Sequence, residues 1–206
     1  MNYIHKYGIE ACMAKAETLV VSSTQIFNIG SGNDKRWPMA KKLDGRLDGI
    51  DYNTCRLPCE DNKADTIICE QVIEHLHNTT WFISELFRIC TPGGQLLIAT
   101  ENLGSWPNIA ALLLGAAPFS TQPLCDEYIG GWKKGKLHES YSVGINHPIY
   151  SGLSGHVRVM TRKQLKCLLE RAGFSIKGSY SFCFGHFILF DCQKPKGMAA
   201  KPNATS

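Results

Sequence analysis

Apolar residues fall into two kinds of run along this chain, and their alternation sets the architecture. Gln25 to Ile29, ADTIIC at 64–69 and QLLIAT at 95–100 are short and continuous, the mark of strands buried on both faces. Around them lie segments of helical period. Residues 3–20 predict a helix leading into the domain. A helix over 79–90 places Phe82, Leu86 and Ile89 on one face, with Ile83, Phe87 and Cys90 beside them. Thr91-Pro92-Gly93-Gly94 ends it, because proline cannot continue a helix and glycine supplies the turn. Thr161 opens another helix with Gln164 at capping-box spacing; Leu165, Leu168, Leu169 and Ala172 share its face, and Gly173 closes it. Residues 174–183 and 186–193 predict a pair of strands turning at Phe184-Gly185. The sum is a single α/β domain, a doubly wound and mostly parallel sheet with an antiparallel C-terminal hairpin. In such folds ligands bind beyond the carboxyl ends of the strands.

Composition narrows the partners. The formal charge is +4, from 22 basic and 18 acidic residues; setting aside Lys194, Lys196 and Lys201 in the acid-free C-terminal stretch leaves a body near +1. No concentrated basic surface is implied, so nucleic acid is not the expected partner. The 9 cysteines are an odd number without a CxxC pair, and Cys69, Cys90 and Cys167 sit in apolar runs where a thiol acts as a small core residue. That usage suits a reducing cytoplasm. The longest uncharged apolar run, 109–117, is too short to cross a bilayer. The domain is expected over 1–194, with a disordered tail from 195 to 206 and an irregular acceptor-side insertion or lid over 101–154. Within the insertion, 109–115 predicts a short helix covering the site.

Four strings carry a family resemblance, in order: IFNIGSGN at 26–33, LPCEDNKADTIICEQVIEHL at 57–76, TPGGQLLIAT at 91–100 and HVRVMTRKQLKCLLERAGF at 156–174. Together they resemble the class I S-adenosylmethionine-dependent methyltransferases, a Rossmann-like family, in a compact form, over roughly 25–190. The chemistry agrees with the residues. Gly30 and Gly32 let the backbone pass close to a sulfonium nucleoside where a side chain would collide. There is no diphosphate to hold, and the GxGxxG turn of nicotinamide enzymes is absent: 30–35 reads GSGNDK. The resemblance implies cofactor contacts from Asn28, Gly30, Ser31 and Gly32. It further implies a ribose acid at Asp44, an adenine-side acid at Asp51 with Tyr52 beside it, and a methionine-side pair at Glu70 and Gln71. Asp48 competes with both acids. The segment between Gly32 and Leu57 is compressed, and Met39-Ala40-Lys41-Lys42 makes a poor strand before Asp44.

On the acceptor side, His147 and His156 are the imaginable bases, and Glu101-Asn102 follow the QLLIAT strand into the cleft. A base is needed only where the acceptor must lose a proton. Glu74 and His75, with a carboxylate three positions before, form a metal site in small-RNA 3′-end 2′-O-methyltransferases. Here that first position is Gln71, and the EHL triplet also resembles metal-free relatives, so a structural role without metal is expected. The expected activity is methyl transfer to a small-molecule or saccharide-type acceptor. The alternatives are a Rossmann-like module without catalysis and a metal-assisted RNA 2′-O-methyltransferase.

Overall fold

The computed structural model describes residues 3–21, 24–30, 35–44, 48–121, 127–133, 136–142 and 156–197, with backbone alone over 3–6 and 127–142. In chain order the elements are α1 (Tyr3–Leu19), β1 (Ile26–Ile29), β2 (Lys41–Leu43), β3 (Ala64–Glu70), a 3-10 turn (Ile73–His75), α2 (Thr79–Ile89), β4 (Cys90–Glu101), α3 (Trp106–Leu113), β5 (Glu127–Lys133), β6 (Lys136–Ser142), α4 (Arg162–Ala172), β7 (Ser175–Phe182) and β8 (Phe187–Gln193). Six strands form one sheet in the order β2-β1-β3-β4-β8-β7. The first four are parallel; β8 runs antiparallel to β4 and to β7. This is the expected mostly parallel sheet with its closing hairpin.

Burial on both faces explains the continuous apolar strands. In β3 and β4, Ile67, Cys69, Leu96 and Ile98 join the core beneath α2 and α4, around Phe82, Leu86, Leu165 and Leu169. Their neighbours Ile68, Leu97 and Ala99 turn to the other face, where Cys12, Met13 and Ala16 of α1 cover them. Each such side chain withdrawn from water contributes about 1.5–3 kcal/mol. The capping box of α4 is present: the Thr161 hydroxyl accepts from Gln164 N, the Gln164 side chain accepts from Thr161 N, and Gly173 closes the helix at φ 110°. Thr161→Ala is therefore expected to cost about 1 kcal/mol in urea unfolding.

The structure departs from the sequence reading in four places. Where 39–42 makes a poor strand in sequence, a short one does form at Lys41–Leu43, held by its parallel register with β1 (Phe27↔Lys41, Ile29↔Leu43) and by the Lys41 ammonium lying over the Phe27 ring. β4 starts at Cys90, directly after α2, so 91–94 lies within the strand; Gly93 N donates to Lys194 O and Lys194 N to Gly94 O. These bonds bring Lys194 against the end of α2. Its buried Nζ donates to Asn62 Oδ1 and to the carbonyls of Phe87 and Cys90 at the end of α2. Cys167 is exposed, unlike Cys69 and Cys90, because it lies off the Leu165–Leu169 face of α4. Finally, the insertion carries, besides its expected short helix α3, an antiparallel hairpin, β5–β6, whose charged and glycine-containing sequence shows little apolar alternation. No helix among the described residues is long and apolar enough to cross a membrane.

Candidate functional site

The parallel strands deliver the predicted residues to one rim. β1 ends at Ile29 and Gly30, β2 at Leu43 and Asp44, β3 at Glu70 and Gln71, β4 at Glu101 and Asn102. Gly30 N donates to Leu43 O at 2.8 Å, which ties the first two strand ends together. Gly30 has φ +72°, a conformation that favours glycine. A Cβ there would lie 2.4 Å from Val72 Cγ2. This corrects the sequence expectation in one respect: a side chain at Gly30 meets the protein's own Val72, whether or not a ligand is bound. Ser31, Gly32 and His147 lie outside the described residues.

Asn28, two residues before this turn, is buried, and its Nδ2 has no hydrogen-bond partner among the described residues. An orphaned donor at a strand end costs about 1–3 kcal/mol unless something polar reaches it. Of the three competing aspartates, two are occupied by local turns. Asp48 Oδ2 accepts from Asp44 N. Asp51 accepts from Asn53 N, Asn53 Nδ2 and the Thr54 hydroxyl, and these bonds, the backbone one foremost, hold its carboxyl below the usual range. Asp44 is buried at the end of the strand next to β1. Tyr52 points into the core, its hydroxyl donating to Leu43 O at 2.6 Å and its ring 5.3 Å from that of Phe82. Glu70 is mostly buried and faces Arg36, Nη2 to Oε2 3.7 Å. Gln71 takes φ +51° and donates its backbone N–H to Ala99 O.

Past β4, Glu101 is buried, with Oε2 3.6 Å from His156 Nδ1. His156 Nδ1 also lies 2.8 Å from Ser120 O, a carbonyl that only accepts, so this nitrogen carries the proton. Asn102 pins the loop: Oδ1 accepts from Gly104 N and Arg162 N, and Nδ2 donates to Gly185 O. Glu74 is fully buried, and its Oε2 accepts from the Thr100 hydroxyl at 2.8 Å. Burial pushes its carboxyl up to about 8, and the Glu101 charge adds to the shift. The backbone carbonyl of Glu74 accepts from both Val157 N and Arg158 N, which brings His156 against the Glu74-His75 turn. Sequence reasoning did not unite these three residues, nor did it find Arg36 or Thr100. No local period marks any of them.

A groove of about 590 Å³ opens at the opposite end of the sheet, beside Asp65, Gly94, Gln95 and Asp191. There the first halves of β3 and β4 lie beside the end of the antiparallel β8. A parallel sheet presents its helix N-termini and loop crossovers at the other rim, where the glycine turn stands.

Similarity to known proteins agrees with the rim. A family model described as a methyltransferase domain matches residues 7–177, and the chain belongs to that family. S-adenosylmethionine is the cofactor this membership implies. A Mycolicibacterium smegmatis protein named as an S-adenosylmethionine-dependent methyltransferase is 42% identical over 57 residues, covering 28% of this chain and 22% of its own length. The chain thus spans well under half of that relative. Among solved structures, the chain in complex with the Trm112 methyltransferase activator of Haloferax volcanii superposes with TM-score 0.61 at 11% identity, covering 94% of this chain and 92% of that one. The 1,6-didemethyltoxoflavin-N1-methyltransferase of Burkholderia thailandensis, solved with 1,6-didemethyltoxoflavin and S-adenosylhomocysteine, gives TM-score 0.53 at 11% identity over 94% of this chain and 79% of its own. At these identities the likeness establishes the fold.

Proposed function

We propose that this chain transfers a methyl group from S-adenosylmethionine to a small-molecule or saccharide-type acceptor. The observation that carries the reading is the convergence of Gly30, Asp44, Glu70 and Glu101 at the carboxyl ends of four adjacent parallel strands. The residues fit the cofactor: Gly30 offers a backbone turn without a side chain, and Asn28, two residues before it in β1, carries a buried donor without a partner among the described residues. In this reading Asn28, Gly30 and the adjoining Ser31 and Gly32 border the cofactor, Asp44 holds the ribose hydroxyls, and Glu70 with Gln71 faces the methionine part. Asp51 and Tyr52 support it indirectly, by fixing the 51–54 turn and the end of β2.

Bound S-adenosylmethionine supplies an electrophilic methyl group. The protein's contribution is positioning, which governs a direct displacement. Glu101 and His156 border the acceptor side and orient an acceptor hydroxyl or amine. Support for a small acceptor comes from the near-neutral body and from the small-molecule substrate named for the Burkholderia neighbour.

Titration calorimetry with S-adenosylmethionine tests the reading. Saturable binding with Kd below about 1 mM is expected, weakened at least about tenfold in Asp44→Ala. No heat at millimolar cofactor would reject the assignment. Incubating metabolite extracts with methyl-labelled cofactor should then label a low-molecular-mass product; label appearing in RNA alone would favour the nucleic-acid alternative.

A further inference from the structure

Beyond the cofactor rim, a second set of side chains converges. One ligating atom each from Glu74, His75 and His156 lies within 4.8 Å of the others. The fold builds this arrangement with backbone bonds. Glu74 and His75 sit on the turn that follows β3, and Glu74 O holds Val157 N at 2.8 Å and Arg158 N at 3.0 Å. The two imidazole rings lie 4.9 Å apart at 64°.

We propose that Glu74, His75 and His156 form a binding site for a divalent first-row transition-metal ion such as Zn²⁺ or Co²⁺. Two independent observations point to a ligand. First, Glu74 is 0% exposed, and its Oε1 has no hydrogen-bond partner among the described residues, while Oε2 is oriented by the Thr100 hydroxyl. A buried carboxylate oxygen left open in this way is stabilised by a cation. Second, His156 gives its Nδ1 proton to Ser120 O, which fixes the ring and leaves Nε2 with its lone pair. Metal-bound histidines are held this way, by a carbonyl or carboxylate on the other nitrogen. Glu101, 3.6 Å from His156, adds negative charge nearby.

The donor set selects the ion. One carboxylate and two imidazoles suit zinc, cobalt, iron or manganese, whereas Ca²⁺ and Mg²⁺ favour all-oxygen shells. Neighbouring ligands of a tetrahedral ion of this kind are about 3.4 Å apart, so side-chain movements of up to about 1.5 Å close the set. Three protein ligands leave a position for water or a substrate oxygen, as in catalytic rather than structural sites. The site stands past the ends of β3 and β4, on the acceptor side. The third ligand comes from position 156, so the neutral Gln71 is not required. Ligation also gives His156 a role other than that of a base.

The test uses untagged protein freed of metal by chelation, with Co²⁺ titrated by visible absorption and Zn²⁺ by calorimetry, both without S-adenosylmethionine. One ion per chain is expected to bind saturably and to raise the melting temperature. Glu74→Gln, His75→Ala and His156→Ala should each weaken binding at least about tenfold, with unchanged far-ultraviolet circular dichroism confirming folded protein. His77→Ala, an exposed histidine outside the cluster, should bind as wild type does. Glu74→Gln keeps shape and the Thr100 contact, so it decides the matter if an alanine variant fails to fold. No saturable binding to the wild type, or wild-type affinity in any folded cluster variant, overturns the proposal. Metal bound without any cofactor binding would leave the site intact and count against the methyltransferase reading alone.

Discussion

Gly30→Ala is expected to destabilise the protein by about 2–4 kcal/mol and to weaken S-adenosylmethionine binding at least about tenfold. Two separate causes add. The backbone at φ +72° strains any residue with a Cβ, and that Cβ would sit 2.4 Å from Val72 Cγ2. Val72 leads into the turn carrying Glu74 and His75, so relief of the clash displaces that turn as well. Adding Val72→Ala makes room without curing the strain. The double variant should therefore show less destabilisation than the sum of the two single ones. Urea unfolding of the four proteins, with cofactor titration of each folded sample, measures both effects. A Gly30→Ala protein within about 0.5 kcal/mol of wild type would mean the turn has another conformation in solution.

Arg88→Met is expected to cost about 3–5 kcal/mol, the usual result of breaking a buried ion pair from one side. The Arg88 guanidinium binds Glu85 through two bonds of 2.9 and 2.7 Å, and it also donates to Leu57 O, Cys59 O and Asp61 Oδ1. Glu85 in turn accepts from Leu57 N. Removing the cation leaves a buried carboxylate and two carbonyls without their donor. Glu85→Gln added to Arg88→Met removes the stranded charge, so the double variant should be more stable than Arg88→Met alone. Calorimetric or denaturant melts decide the order. The pair also matters to the site, because it fastens 57–61 onto α2 and so closes the connection that descends from Asp44 and Asp51. The helical pattern of α2 gave no sign of it; in sequence, Glu85 and Arg88 are charged residues flanking an apolar stripe.

Several site features were legible because they are written locally. The strand-to-glycine junction at 26–30, the ADTIIC and QLLIAT strands, the capping box of α4 and the left-handed Gly173 each depend on a few neighbouring residues. The order of the motifs pointed to the methyltransferase family, which the match over residues 7–177 bears out. β2 was not legible in the same way. KKL has two exposed lysines and becomes a strand only through parallel pairing with β1. Asp51 and Tyr52 show the converse. Their types suit a binding site, and the fold adds contacts that no sequence pattern showed: Asp51 to its own turn, and Tyr52 to Leu43 and Phe82.

By itself the sequence determined the alternation of strands and helices, the ends of those helices, and a glycine turn unsuited to diphosphates, since propensity, period and capping act over a few residues. Only the tertiary structure decided which distant side chains meet: Arg88 with the 57–61 loop, Lys194 with the end of α2, and His156 with Glu74. Each of those meetings depends on backbone bonds between segments far apart in the chain, and no local preference encodes the partner.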